Sequence, residues 1–175
     1  MAGSIQERKL HRQFELLDLD GNGFIEQKDV AEFVERITEA AGAEGTPQGE
    51  AMRQGAERLW QQLQQALDTD GDQRISRDEF VSSADLHAVM TEAIKLGAAA
   101  FDVTDTDGDG RISLQEWIRM DQKIGVLRGD SEQGFNRLDL DGDGYVSRAE
   151  YVQGVEEFYR SDDPSAPGNW AFGRF

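Results

Sequence analysis

Residues 105–116 read Asp105-Thr106-Asp107-Gly108-Asp109-Gly110-Arg111-Ile112-Ser113-Leu114-Gln115-Glu116. Oxygen-bearing side chains fall at positions 1, 3, 5, 9 and 12 of this stretch, glycine stands at 6, and position 7 (Arg111) offers its backbone carbonyl. That is the donor list of a hard-cation site: calcium takes six to eight oxygens, and a twelve-residue loop supplies them from positions 1, 3, 5, 7, 9 and 12. The same spacing recurs at 139–150 with Asp139, Asp141, Asp143, Tyr145 (carbonyl), Ser147 and Glu150. It recurs at 68–79 with Asp68, Asp70, Asp72, Arg74 (carbonyl), Ser76 and Glu79, and at 18–29 with Asp18, Asp20, Asn22, Phe24 (carbonyl), Glu26 and Asp29.

Four aligned copies resemble a protein with four EF-hands. The sequence is also similar, in its long first inter-loop connection and aromatic C-terminal segment, to the sarcoplasmic calcium-binding proteins and their bacterial relative calerythrin. The resemblance implies helix–loop–helix units that bind calcium, two paired lobes packed into one body, and a role in calcium buffering or transport. A single D-x-D-G run also occurs in phosphatases with an aspartyl nucleophile, but those place it directly after an apolar strand, whereas helical stripes precede every copy here. Dockerin modules repeat the calcium loop twice and are secreted, which does not suit four copies without a leader-like start.

Two loops depart from the pattern. Loop one ends in Asp29, one methylene shorter than Glu, so it offers one oxygen unless the backbone shifts inward. Two outcomes are open: the site loses calcium affinity and gains tolerance for Mg²⁺, or the loop contracts and still binds calcium, with Glu26 compensating directly or through a water. Loop two has Gln73 where the sharp turn at position 6 needs a positive φ, which glycine takes freely. A side chain held there costs roughly 1–2 kcal/mol, so the second site is expected to be weakened but functional. Loops three and four depart in nothing and are expected to bind Ca²⁺ tightest.

The 175 residues suffice for one compact unit or two packed lobes. The formal charge of −17 repels nucleic acid and anionic lipid, so divalent cations are the expected partners, with neither nucleic acid nor membrane among them. Four acidic residues crowd the ligand positions of each loop. Cysteine is absent, which excludes thiolate metal sites and disulfides. The stretch MAGSIQERKLHRQFELLD has no apolar run long enough for a signal peptide, and nothing reaches the length of a membrane span, so a cytoplasmic monomer is expected. Arginine outnumbers lysine 14 to 4, a compositional hint of a GC-rich genome.

The loops start at 18, 68, 105 and 139, with gaps of 50, 37 and 34 residues. Apolar residues at helical spacing flank each one: Leu10, Phe14 and Leu17, then Val30, Phe33, Val34 and Ile37, around the first; Leu59, Trp60, Leu63 and Leu67, then Phe80 and Val81, around the second. Ile94, Ala98 and Phe101, then Trp117, Ile118 and Ile124, flank the third; Phe135 and Leu138, then Tyr151, Val152, Val155 and Phe158, flank the fourth. The spacing predicts an all-α fold. The β-branched residues at position 8 predict two short antiparallel pairings, Ile25 with Ile75 and Ile112 with Val146. Expected divisions are 1–84, 85–160 and a tail, 161–175, whose Trp170, Phe172 and Phe175 pack on the body. Ala40 to Glu50 reads as a helix break and loop, and Ser83 to Ala100 as one helix with Leu86, Val89, Met90 and Ile94 inward. His11 and His87 read as solvated or packed side chains, Met52, Met90 and Met120 as core fillers, and Trp60, Trp117 and Trp170 as core aromatics.

No nucleophile–base pair and no phosphate-cradling glycine loop stands out, so a binding protein is expected rather than an enzyme. A calcium buffer that keeps its apolar faces buried is the preferred reading. A sensor that opens and engages a target helix is the alternative, and methionine, at four residues, is scarce for that role.

Overall fold

The computed structural model describes residues 4–82 and 86–174. The helix-spaced stripes become helices that enter and leave each loop. The first loop lies between α1 (Ile5–Leu17) and α2 (Gln27–Ala41), the second between α3 (Pro47–Leu67) and α4 (Arg77–Ser82). The third lies between α5 (Leu86–Thr104) and α6 (Leu114–Lys123), the fourth between α7 (Arg128–Leu138) and α8 (Arg148–Arg160). Local chemistry sets the ends. Ser4 and Glu7 close a capping box at the start of α1, and Gly42 ends α2 in the left-handed conformation at φ 64°.

Two miniature antiparallel sheets join neighbouring loops. Strand β1 (Phe24–Ile25) pairs with β2 (Ile75–Ser76), bringing Ile25 opposite Ile75. Strand β3 (Arg111–Ser113) pairs with β4 (Tyr145–Ser147), bringing Ile112 opposite Val146. All four position-8 side chains are fully buried, so both expected pairings hold.

One continuous apolar core runs through both halves, from Phe14, Ile25, Met52, Leu63 and Phe80 to Ile112, Trp117, Phe135 and Phe158. Helix α5 is its spine. It shares its broadest interface with α3 and also packs on α2 and α8. Its inward residues are Val89, Ala93, Leu96 and Ala100, with Met90 and Ile94 half-buried beside them. It runs on past Ala100 to Thr104, directly into the third loop. The expected start at Ser83, the boundary at 84/85, Phe175, and the side chains of Leu86 and His87 lie outside the described residues.

The break expected over Ala40 to Glu50 is much shorter than the composition suggested. Pro47 sits in the first turn of α3, where its missing N–H costs nothing, and Thr46 caps it by accepting from Gly49 N at 3.1 Å. The length between the first two loops therefore goes into a 21-residue helix, not a loop.

The first and last long helices are joined by a buried cation. Lys9 is 1% exposed and its Nζ donates to the carbonyls of Glu157 (3.2 Å) and Ser161 (2.7 Å) at the C-terminal end of α8, where a positive charge suits the helix dipole. Burial pushes its pKa down to about 8, against the opposing pull of Asp162 and Glu157.

Beyond α8 the tail forms a 3₁₀ turn, Pro167–Trp170, laid across α7 and α8. The approach is close enough that a Cβ on Gly168 would collide with the Gly154 carbonyl. Phe172 meets Phe158 edge-on at 4.7 Å, and the Arg137 guanidinium covers Trp170 at 4.6 Å. Arg12 on α1 donates to the Phe172 carbonyl at 3.3 Å, so the tail is held from both halves of the chain.

Candidate metal centres

The residues that would hold a cation also build the loops. In loop three, Asp105 accepts from the N–H groups of Gly108 (2.9 Å), Asp109 (3.1 Å) and Gly110 (2.8 Å), which folds the turn around its carboxylate. Asp109 accepts from Arg111 N at 2.9 Å. Glu116 spans the loop: Oε1 accepts from Thr106 N (2.8 Å) and Oγ1 (2.7 Å), and Oε2 from Ser113 N (2.9 Å) and Oγ (2.8 Å). Ser113 and Glu116 are also the capping box of α6, so the same pair starts the exiting helix and brings a carboxylate over the turn.

Loop four repeats this. Glu150 accepts from Leu140 N (2.8 Å) with one oxygen and from Ser147 N (2.8 Å) with the other, and Asp139 accepts from Gly144 N at 3.0 Å. Loop two does the same with Glu79, bridging Thr69 N (2.9 Å) and Ser76 N (2.8 Å). Its Gln73 takes φ 65°, and among the described residues it is the one non-glycine in that region. Burial works against ionisation at Glu79, Glu116 and Glu150, but the converging N–H and O–H donors outweigh it and hold all three below the usual carboxylate range, Glu79 at about 2.

Among the described residues, carboxylate oxygens converge within 4.8 Å of one another in three places: Asp68, Asp70 and Asp72; Asp105, Asp107 and Glu116; Asp139, Asp141 and Glu150. Hard oxygen donors so grouped, with the position-7 carbonyls of Arg74, Arg111 and Tyr145 and the hydroxyls of Ser76, Ser113 and Ser147 alongside in the loop order, suit calcium in number and type. Asp143 stands at position 5 of loop four, its backbone N–H donating to Asp139 and Asp141.

Loop one keeps the turn and loses the span. Gly23 N still donates to Asp18 at 3.0 Å. Asp29 accepts from Glu26 N at 2.9 Å but does not reach across, and Leu19 N bonds instead to the Leu17 carbonyl at 2.9 Å. Asp29 is 1% exposed, and burial raises its pKa where the three glutamates are lowered. Asp20 and Glu26 are drawn together by Lys28, whose Nζ lies 2.7 Å from Asp20 Oδ2 and 2.9 Å from Glu26 Oε2. Asn22 Nδ2 donates to the same two oxygens at 3.1 Å each. Phe24 lies in β1, stacked under Arg74 at 4.1 Å.

Three features escaped the sequence reading. The position-2 threonines, Thr69 and Thr106, anchor the far oxygen of the closing glutamate with both N–H and hydroxyl. The position-7 arginines work through their side chains too, Arg74 pairing with Asp72 at 2.7 Å and Arg111 with Asp109 at 3.2 Å. Lys28 carried one signal: loop position 11 is basic in loop one and is Asp78, Gln115 and Ala149 in the others.

The chain matches the model for an EF-hand domain pair over residues 7–84 and again over 95–156. No curated protein sequence matches it. Among solved structures it is similar to a Streptomyces coelicolor calcium-binding protein described in terms of prokaryotic calcium-mediated regulation: 34% identity, TM-score 0.77, covering 88% of this chain and 97% of that one. It is similar to the coelenterazine-binding protein of Renilla muelleri in its Ca-loaded apo form, at 26% identity, TM-score 0.71 and full coverage of both chains (100% each). A sarcoplasmic calcium-binding protein from amphioxus shares the fold, at 20% identity, TM-score 0.73 and coverage of 99% and 100%.

Proposed function

The chain belongs to the EF-hand family, and from that premise we propose that it is a calcium-binding protein that takes up Ca²⁺ at loops two, three and four and acts as a buffer or transporter of the ion. Uptake is supported by the three convergent carboxylate groups, each with a glutamate closing the loop. The ligands in this reading are the residues at positions 1, 3, 5, 7, 9 and 12 of those loops, ending in Glu79, Glu116 and Glu150. Loops three and four bind tightest. Loop two is weakened by the backbone strain at Gln73.

One observation carries the buffer role. The apolar surface that a target helix would need is already covered by the chain's own tail, with Phe172 on Phe158 and the 3₁₀ turn pressed on α8. Among the described residues only Leu127 and Leu140 are large, apolar and exposed. A protein of this kind takes up its ion with little new apolar surface. Chain length and charge are consistent with a monomer working in the cytoplasm, and no described helix is long and apolar enough to cross a membrane.

A sensor is the second reading, favoured by the Streptomyces relative's description in terms of regulation. It requires calcium to lift the tail and expose α8. Titrating calcium into the metal-free protein with an environment-sensitive hydrophobic dye separates the two. The buffer reading expects calorimetric uptake with no more than a small rise in dye fluorescence. A several-fold rise on calcium addition would overturn it in favour of the sensor.

A further inference from the structure

Loop one differs from its siblings in what closes it. In loops two to four a glutamate bridges position 9 to position 2. In loop one that bridge is missing, and the Lys28 ammonium joins the acids at positions 3 and 9, whereas Arg74 and Arg111 each hold only the position-5 acid within their own loops. Asp20 and Glu26 stand at ligand positions 3 and 9, and both are engaged by the Lys28 ammonium and the Asn22 amide. Asn22 Oδ1, at position 5, accepts from Phe24 N at 2.8 Å. Asp29, at position 12, is buried and committed through Oδ2 to the Glu26 N–H. Asp18 Oδ1 alone is a buried loop oxygen with no donor. A divalent ion entering here has to expel the ammonium from two charge-assisted hydrogen bonds, and it then finds a one-oxygen carboxylate where calcium prefers two.

We propose that Lys28 is the resident cation of loop one, so that this loop takes no divalent ion at calcium concentrations that fill the other three, and serves as a fixed scaffold for loop two. The inference rests on the reading that loops two to four bind calcium. Lys28 is thus a specificity-determining residue: its charge replaces the metal's and its flexible stem lets it reach back from the first turn of α2. A lysine is suited to this because its compact ammonium carries three donors on a four-carbon stem.

Calorimetric calcium titration of the full chain tests the proposal through the number of ions bound. Asp18→Asn, isosteric and in loop one, is expected to leave the wild-type number unchanged. A loss of one ion would overturn the proposal, because loop one would then be a working site. Lys28→Gln combined with Asp29→Glu is expected to add one ion, and Asp18→Asn in that background to remove it again. Lys28→Arg with Asp29→Glu, which keeps the charge, is expected to add none. Lys28→Gln alone should tighten loop one about tenfold, the scale of two exposed ion pairs released. If the combined Gln/Glu variant, shown by circular dichroism to be helical, gains no ion, Lys28 is not what bars the loop and the proposal fails. Absence of any calcium uptake by the wild-type chain would instead refute the reading on which the inference rests. Repeating the wild-type and Asp18→Asn titrations with Mg²⁺ covers the smaller ion, and a magnesium ion lost with Asp18→Asn would equally overturn the proposal.

Discussion

The first and third loops have the same turn and the same length, yet they are closed by different means. Loop three has Glu116 reaching from Ser113 to Thr106, with both oxygens held by donors. Loop one has Asp29 reaching only Glu26, and a lysine where the others have Asp78, Gln115 or Ala149. One methylene and one ammonium separate a loop spanned by its closing glutamate from a loop whose acids at positions 3 and 9 share a lysine. The two halves also differ behind the loops. Five residues beyond the closing carboxylate stands Val34 in the first unit and Asp121 in the third. Both are 1% exposed, so the C-terminal half buries an acid where the N-terminal half buries a methyl pair.

The largest expected effect comes from making loop three resemble loop one. Glu116→Gln removes the charge that closes the loop and is expected to weaken calcium binding there by about 3 kcal/mol, roughly a hundredfold, as lost charged contacts of this kind do. Calorimetry with the loop-four site intact measures it.

Next is the buried acid. Burial pushes Asp121 up to about 7, against the opposing pull of Ser131, Trp117 and Arg12. A carboxyl whose folded pKa lies above its unfolded value stabilises the fold fully below the unfolded value near 4, and that contribution is lost as pH rises through about 7. Asp121→Asn should therefore be more stable than wild type at pH 8, and the gap should close toward pH 4. Urea unfolding at the two pH values reads the difference directly. A wild type as stable as the variant at pH 8 would contradict it.

Loop two sharpens the comparison on a smaller scale. Gln73→Gly relieves the positive φ and should tighten that loop by about 1 kcal/mol, roughly fivefold, with loops three and four unmoved. The smallest effect is expected where the sequence alone suggests a clear one. Asp29→Glu lengthens the closing carboxylate, but with Lys28 in place the gain in calcium affinity should stay below about threefold, within the range of one exposed ion pair.

Much of this was legible before any coordinates. The β-branched residue at position 8 fixed both sheet registers, because a strand of two or three residues has a single buried side chain to offer. Gln73 announced its strain because position 6 has a single backbone solution. The helix stripes found the core, since every one of Phe14, Leu63, Phe101, Phe135 and Phe158 is buried. What stayed hidden depends on reach and on distant packing. The Lys28 stem can extend to several oxygens, and nothing in the spacing says which. Asp121 lies on an amphipathic helix, and its burial depends on neighbours such as Ser131 and Trp117 that the spacing does not reveal. The composition of 40–50 reads as a long break only where glycine and proline count alike, whereas Pro47 starts a helix as readily as Gly42 ends one.

The guanidinium stacks across the two miniature sheets have one further consequence. Arg74 lies on Phe24 at 4.1 Å, and Arg111 on Tyr145 at 4.0 Å, each joining position 7 of one loop to position 7 of its partner. Arg111 also reaches the acids of both C-terminal loops, Asp109 at 3.2 Å and Asp143 at 3.9 Å. If both of those loops take calcium as proposed, an ion bound at Asp109 frees the guanidinium toward Asp143, so the two sites are coupled through one side chain. Arg74 ties loop two to Phe24 of loop one, which under the Lys28 proposal takes no divalent ion, so no such coupling is expected in that half. A single polypeptide would then present calcium with one coupled pair of sites and one independent site.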